Sequence, residues 1–405
     1  MKKKIRLGIL FGGRSGEHEV SLLSAASILK AIDRRKYEVV PIGITKDGQW
    51  LTGGEAQHLL SGEAAPTAPQ LVSPDEDDPG FASVAAVLRS GEPISIPPSA
   101  PAPARLHLNA AADLALAEKT SALGLDLIFP VLHGTFGEDG TIQGLLEVAG
   151  IAYVGSGVLG SAAGMDKDVM KRLFRSAGLP QTPWVTLLRS EWKSDPLRCR
   201  KLIEKSLAYP LFVKPANLGS SVGISKVHDR KELATAMDLA SQYDRKLVIE
   251  QGVGGPGAKP RELEVAVLGN DEPEASVIGE IVPNREFYDY DSKYADSAEP
   301  SIPIIPAKLS ASEQKQIRTL AVAAFKACDA AGLARVDFLM EPPQRGRKPA
   351  IFLNEINTMP GFTSISMYPK LWQASGLGYR QLIDRLIQLA QQRQAEKLNT
   401  SFQKM

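Results

Sequence analysis

The sequence predicts a chain of two or three α/β units, each a sheet with helices packed on it. Three observations carry this reading. The 405 residues exceed what a single core usually organises. The chain opens strand–helix–strand, the pattern of a parallel sheet. Further on, a series of short strands and one long helix leads into a closing strand pair.

In order, residues 5–11 (IRLGILF) form a short buried strand followed by a glycine turn. Leu22, Ala25, Ala26, Leu29 and Ile32 then repeat near a 3.6 period, which gives a helix. Residues 37–45 return as a strand closed by Asp47-Gly48. From about Gly53 to Pro103 the composition shifts to Pro, Ala, Ser and Asp, which suits a surface insertion with little chemistry. Residues 125–132 resume the sheet, a short helix runs from Thr141 to Val148, and 151–154 reads as another strand. A new unit opens near Gly155. Asp166 caps a helix with Val169, Leu173 and Phe174 as its stripe, and Gly178 with Pro180 stops it. Strands follow at 210–215, 222–227, 246–251, 261–268 and 276–282. A long helix begins at the capping box Ser310–Glu313 and ends at Gly332. Strands 333–340 and 350–356 flank a turn, and an amphipathic helix covers 379–393.

Composition excludes several classes of function. Forty-seven Lys and Arg against 46 Asp and Glu leave a net charge of +1, so no bulk field draws a nucleic acid or an anionic membrane. Two cysteines, Cys199 and Cys328, cannot build a disulfide framework. The apolar run after the basic N-terminus, Leu7 to Phe11, is shorter than the roughly seven residues a secretory core needs. No stretch reaches the roughly twenty apolar residues of a membrane helix. A cytoplasmic protein is expected.

The sharpest chemistry lies in LARVDFLM (333–340) and AIFLNEIN (350–357). Alternation along a strand puts Arg335 with Asp337 on one face and Glu355 with Asn357 on one face. A symmetric hairpin closing near Arg345-Gly346 sets Asp337 opposite Asn354–Glu355, so that Asp337, Glu355 and Asn357 converge beside Arg335. Three oxygen donors without His or Cys suit Mg²⁺ or Mn²⁺. A solvated face with a structural ion pair fits the same pattern. In FVKPANLGSSVGIS (212–225), Lys214 precedes a loop with Gly219, Ser220, Ser221 and Gly223, whose amides and hydroxyls can approach phosphate oxygens. A plain hairpin is the alternative. GGRSGEHEVS (12–21) places Glu17 at a helix start, suited to an ammonium group or simply to the helix dipole. HGTFGEDG (133–140) puts His133 at a strand end. FYDYDSKYADS (287–297), with Lys293 and Tyr294, reads as a long loop or a lid.

Taken together and in this order, GGRSGEHEVS, HGTFGEDGTIQGLLE, GSGVLGSAAGMDKDVMK, VKPANLGSSVGIS, FYDYDSKY, ARVDF and NEINTMPGFTSIS resemble the D-alanine–D-alanine ligases of the ATP-grasp superfamily. The resemblance spans nearly the whole chain apart from the insertion near 53–110. It implies an ATP-grasp fold with an N-terminal parallel α/β domain at 1–155, a central subdomain at 156–255 and a C-terminal one at 256–405. Lys167 and Lys214 match lysines that hold ATP phosphates, with Ser221 beside them. Glu250 and Glu262 match acids near the adenosine, with the Val253 backbone near the base. Lys293 matches a loop lysine that reaches the transferred phosphate. Asp337, Glu355 and Asn357 match the ligands of two Mg²⁺ or Mn²⁺ ions.

The implied reaction phosphorylates the carboxylate of one D-alanine, after which the amine of a second attacks the acyl phosphate. Arg335 and the Gly361 amide match the oxyanion stabilisers. Glu17 and His133 match the first substrate site, and Ser366 matches the site of the second carboxylate. Glu17, Ser220 and Tyr294 resemble the hydrogen-bonded set that pins a closed loop, and Tyr294 favours an amine nucleophile over D-lactate. A D-alanine–D-lactate ligase and a catalytically inactive ATP-grasp protein are the competing readings. ATP and D-alanine are the implied partners, in a homodimer, with neither nucleic acid nor membrane.

Overall fold

A computed structural model describes residues 3–61, 124–219, 221–282, 302–343 and 346–401. The apolar run at the N-terminus forms β1 (Ile5–Gly12), whose Leu7, Ile9, Leu10 and Phe11 are fully buried. It is followed by α1 (His18–Ala31), β2 (Tyr37–Ile44), β3 (Trp50–Thr52), α2 (Gly53–Ser61) and β4 (Leu127–Val131). β1 pairs in parallel with both β2 and β4, and β3 adds an antiparallel edge, giving the order β3-β2-β1-β4. Within the stretch expected as a surface insertion, Gly53–Ser61 is instead a helix that buries Ala56, and residues 62–103 of that stretch lie outside the described residues.

α3 (Thr141–Val148) lies where its periodicity placed it. Residues 151–154 do not form a strand: Tyr153 makes a single bridge to Ile128 before the chain turns away. α4 (Val158–Met165) and α5 (Lys167–Ser176) follow. A side chain on Gly160 would put its Cβ 2.4 Å from the Asp329 carbonyl oxygen, so α4 packs against a backbone that only glycine permits. Asp166 caps α5 by accepting from the Asp168 and Val169 amides. Its buried stripe is Met170 and Phe174 with Leu173 partly covered, whereas Val169 faces outward.

The second sheet comprises β5 (Trp184–Leu188), β6 (Leu211–Pro215), β7 (Ser225–Val227) and β8 (Lys246–Gln251), all antiparallel, in the order β5-β8-β6-β7. α6 (Arg189–Ser194), α7 (Pro196–Ser206) and α8 (Leu233–Tyr243) connect the strands. β7 begins later than the expected residue 222, because Ser221 and Gly223 hold positive φ angles of 59° and 71° in a turn.

The third sheet contains β9 (Arg261–Gly269), β10 (Glu274–Val282) and β11 (Ile302–Ile304); α9 (Ala311–Ala327) then leads to β12 (Gly332–Met340) and β13 (Ile351–Asn357). It is antiparallel, ordered β11-β10-β9-β12-β13. The Ser310–Glu313 capping box opens α9 as expected. Gly332 is not its terminator: the helix ends at Ala327, and Gly332, at φ 74°, starts β12 against the Gly155 backbone. α10 (Met367–Ala374) and α11 (Tyr379–Leu398) complete the chain.

Four buried clusters among the described residues underlie these sheets, the smallest of them between β1, β2, β4 and α3. One joins β1, β4 and α1 to α10 and α11; a second joins α5 and α9 to the third sheet; a third is confined to the β5–β8 sheet and its helices. Among the described residues no helix is long and apolar enough to cross a membrane.

Candidate active site

Strand pairing sets the acids in line. β12 lies between β9 and β13, with Asp337 opposite Glu264 on one side and Glu355 on the other. Arg335 lies opposite Asn357. The Arg335 guanidinium grips Asp337 with both arms, Nε at 2.8 Å and an Nη at 2.7 Å, and its Nε lies 3.4 Å from Glu264. Burial opposes its charge, but Asp337 and Glu264 hold the group protonated, its pKa well above the ordinary arginine value. In this arrangement Asp337 is engaged by Arg335, and no cluster of three His, Cys, Asp or Glu side chains gathers as a metal cage among the described residues. The donor set remains two carboxylates and one carboxamide on adjacent strands. Such hard oxygen donors fit Mg²⁺ or Mn²⁺.

The second sheet contributes a lysine centre. Glu250 on β8 is paired across the sheet with Trp184 on one side and Phe212 on the other. Its two oxygens lie 3.1 Å from Lys214 Nζ and 3.2 Å from Lys171 Nζ. Burial alone would raise its pKa, yet the two lysines hold it at about 2. Lys167, at the first turn of α5, donates from Nζ to the Leu218 carbonyl at 2.8 Å, and its own amide donates to the Ala216 carbonyl. Burial pulls the Lys167 pKa down, Glu355 pushes it back, and Lys214 adds to the fall. One side chain thus links the small-residue loop to the acid-bearing strands. Val253 is buried just beyond Glu250, and Glu262 is half-buried near the start of β9.

The N-terminal sheet supplies the third wall. Glu17 is the residue before α1, and its Oε2 lies 2.7 Å from where a Cβ on Gly134 would sit and 2.8 Å from one on Gly219. It therefore stands between the loop after β4 and the loop after β6. His133 is buried; its Nδ1 donates to the Met359 carbonyl at 2.9 Å, and its Nε2 lies 3.1 Å from Ser24 Oγ. The Ser24 hydroxyl in turn accepts from the Phe362 amide. Burial lowers the His133 pKa, which keeps the ring neutral. Both nitrogens are taken by the protein, so this histidine fastens the 359–362 segment. Gly361 lies in that segment, and a Cβ there would come 3.1 Å from Ser366 Oγ, which accepts from the Thr363 amide.

Three expected residues, Ser220, Lys293 and Tyr294, lie outside the described residues. Ser221 is described, with its left-handed backbone, in the turn before β7. Sequence reasoning missed Lys171, Glu138 and Glu264. Lys171 sits four residues after Lys167 on a helix, and Glu264 two after Glu262 on a strand, so periodicity alone could have flagged both. Glu138 carried no such signal; it is buried, accepts from the Gly134 amide through Oε1, and is pushed up to about 8 by burial and by Glu17.

The sequence matches the profiles described as D-ala D-ala ligase N-terminus over residues 6–156 and D-ala D-ala ligase C-terminus over residues 173–388. It is 49% identical to the D-alanine–D-alanine ligase of Natranaerobius thermophilus, covering 98% of this chain and 97% of that one. With D-alanine–D-alanine ligase A of Escherichia coli K12 it shares 46% identity over 97% of each. The solved D-alanine–D-alanine ligase of Coxiella burnetii superposes with a TM-score of 0.71 at 33% identity, covering 98% of this chain and 96% of that one. The VanG D-Ala:D-Ser ligase of Enterococcus faecalis gives 0.72 at 35% identity over 96% and 100%. The chain belongs to the D-alanine–D-alanine ligase family.

Proposed function

We propose that this chain joins two D-alanines with cleavage of ATP to ADP and phosphate, supplying D-alanyl-D-alanine for peptidoglycan synthesis. The observation that carries the proposal is the position of Lys167. It is bonded to the loop after Lys214 and lies within the field of Glu355, which supports a single site for cations that would hold phosphate and acids that would hold metal. A carboxylate oxygen of the first D-alanine attacks the γ-phosphorus, and the bond to ADP breaks. The amine of the second then attacks the acyl carbon, gives up a proton, and phosphate leaves with the C–O electron pair.

Phosphoryl transfer needs chiefly alignment and charge neutralisation. Lys167 and Lys214 hold the phosphates, with Ser221 beside them. Val253 and Glu262 face the adenosine. Asp337, Glu355 and Asn357 would hold divalent cation, which when bound neutralises phosphate charge. Arg335, fixed by Asp337 and Glu264, meets the developing oxyanion together with the Gly361 amide. Glu17 receives the ammonium group of the first D-alanine, and Ser366 the carboxylate of the second. His133 acts on the first substrate indirectly, by holding the 359–362 segment. Ser220, Lys293 and Tyr294 complete the site on the resemblance alone, as does a homodimer. The three units 1–155, 156–255 and 256–405 suit this division of labour, since their sheets draw on 5–131, 184–251 and 261–357.

The test is ADP release: D-alanine should stimulate it and L-alanine should not. Product mass with D-alanine, D-serine and D-lactate offered together should show the dipeptide of D-alanine. Indifference to alanine configuration would end the proposal.

A further inference from the structure

Lys171 lies one turn beyond Lys167 on α5 and is 0% exposed. Its Nζ meets Glu250 Oε2 at 3.2 Å and stands 5.4 Å from the centre of the Trp184 ring. Glu250 itself is 4% exposed, and Thr182 adds a hydroxyl 3.4 Å from the same oxygen. The opposite oxygen of Glu250 faces Lys214 at 3.1 Å. Burying an ammonium group is costly relative to an apolar side chain of the same length, and one such side chain would fill this space against Trp184. The charge therefore has an electrostatic consequence to weigh. Two lysines around one carboxylate leave the trio at +1. With Lys171 removed, Lys214 and Glu250 form a neutral pair, and an incoming phosphate would have to compete with Glu250 for Lys214.

We infer that Lys171 is a positioning residue for the nucleotide: by satisfying one oxygen of Glu250 it leaves the positive charge of Lys214 available to the phosphates. This rests on the ATP-dependent reading above. Lys171 touches no phosphate itself and acts through Glu250. Its neighbours are consistent with that role, because the two cations keep Glu250 ionised against the opposing effect of its burial.

The experiment measures binding of Mg·ATP and of adenosine to the full chain by titration calorimetry. In Lys171→Met, ATP should bind about 10–100-fold more weakly, the value of one charge-assisted contact, while adenosine changes less than about twofold. The double variant Lys171→Met/Glu250→Gln restores +1 on Lys214 and should recover most of the lost ratio of ATP to adenosine affinity. Equal losses for ATP and adenosine, no loss for either, or a double variant no better than the single one would overturn the inference. Should Lys171→Met fail to fold, the double variant is compared directly with wild type and with Lys214→Met. A ratio near wild type supports the inference, and one as low as that of Lys214→Met overturns it. A wild-type chain that binds no ATP refutes the ATP reading instead, so the two failures are distinguishable.

Discussion

Replacing Glu138 with Gln tests whether the buried carboxyl beside Glu17 is held neutral. In the folded chain this group is pushed up to about 8 by burial first and by the charge of Glu17 second, against an ordinary value of 4.5. The Gly134 amide and Lys167 work in the opposite direction and lose. Its Oε2 has no hydrogen-bond partner, so nothing replaces the water that an ionised carboxylate would lose. Between pH 4.5 and 8 the unfolded chain releases this proton while the folded chain keeps it. The carboxyl therefore adds no penalty below pH 4.5, and a rising penalty as pH climbs towards 8. A difference of about 3.5 pKa units corresponds to about 3 kcal/mol at pH 7 and on the order of 5 kcal/mol above pH 8. Glu138→Gln has the shape of the protonated acid and keeps the acceptor for the Gly134 amide. It should match wild type near pH 4.5 and become progressively more stable above it, by several degrees in Tm at pH 8. Thermal unfolding of both chains at matched scan rates from pH 5 to 8.5 reads this directly. Parallel curves, or a variant that loses ground as pH rises, would refute the reasoning.

Three further outcomes are expected. Asp337→Ala removes both a proposed metal ligand and the partner of Arg335, and ADP formation should fall about 100-fold or more; near-normal turnover would exclude the acid row from catalysis. Gly160→Ala sets a Cβ 2.4 Å from the Asp329 carbonyl and should cost about 1–3 kcal/mol in a denaturant titration. Ser310→Ala breaks the capping box of α9 and should cost about 1 kcal/mol. Amide exchange should rise in the first turn of that helix and not in α11.

How much of this was legible depended on the range of the interaction. The acid row was readable because alternation has a period of two and β12 and β13 follow one another directly in the chain. Symmetric closure put Asp337 opposite Asn354–Glu355, and the observed partner is Glu355. The Asp166 cap and the Ser310–Glu313 box are likewise local chemistry. Glu250 was different. That its carboxylate lies between Lys171 and Lys214 follows from the pairing of β8 with β6 and from the packing of α5 against that sheet, which bring together residues far apart in sequence. Lys171 sits between Met170 and Phe174, where a buried stripe disguises a cation as a solvated neighbour. His133 was placed correctly at a strand end, but its two partners come from α1 and from the segment after β13. α6 and α7 escaped because Trp192, Cys199 and Ile203 are the only buried residues of two highly charged helices. Residues 151–154 had the composition of a strand and lack a second bonded neighbour.

The separation of the apolar clusters has a mechanical consequence. The cluster beneath β5–β8 draws only on residues of its own sheet and helices, whereas α10 and α11 are shared with the N-terminal sheet. A swing of the lysine-bearing sheet as a rigid plate would leave every greasy interior intact, while changing the gap between Lys214 and Asp337. Lys167 is one stitch across that seam: its helix is anchored to the plate with the acids, and its two hydrogen bonds reach Ala216 and Leu218 on the other. Opening the seam thus means breaking a row of polar ties along one helix, from Asp166 and its Lys246 partner to Lys171 and Glu250.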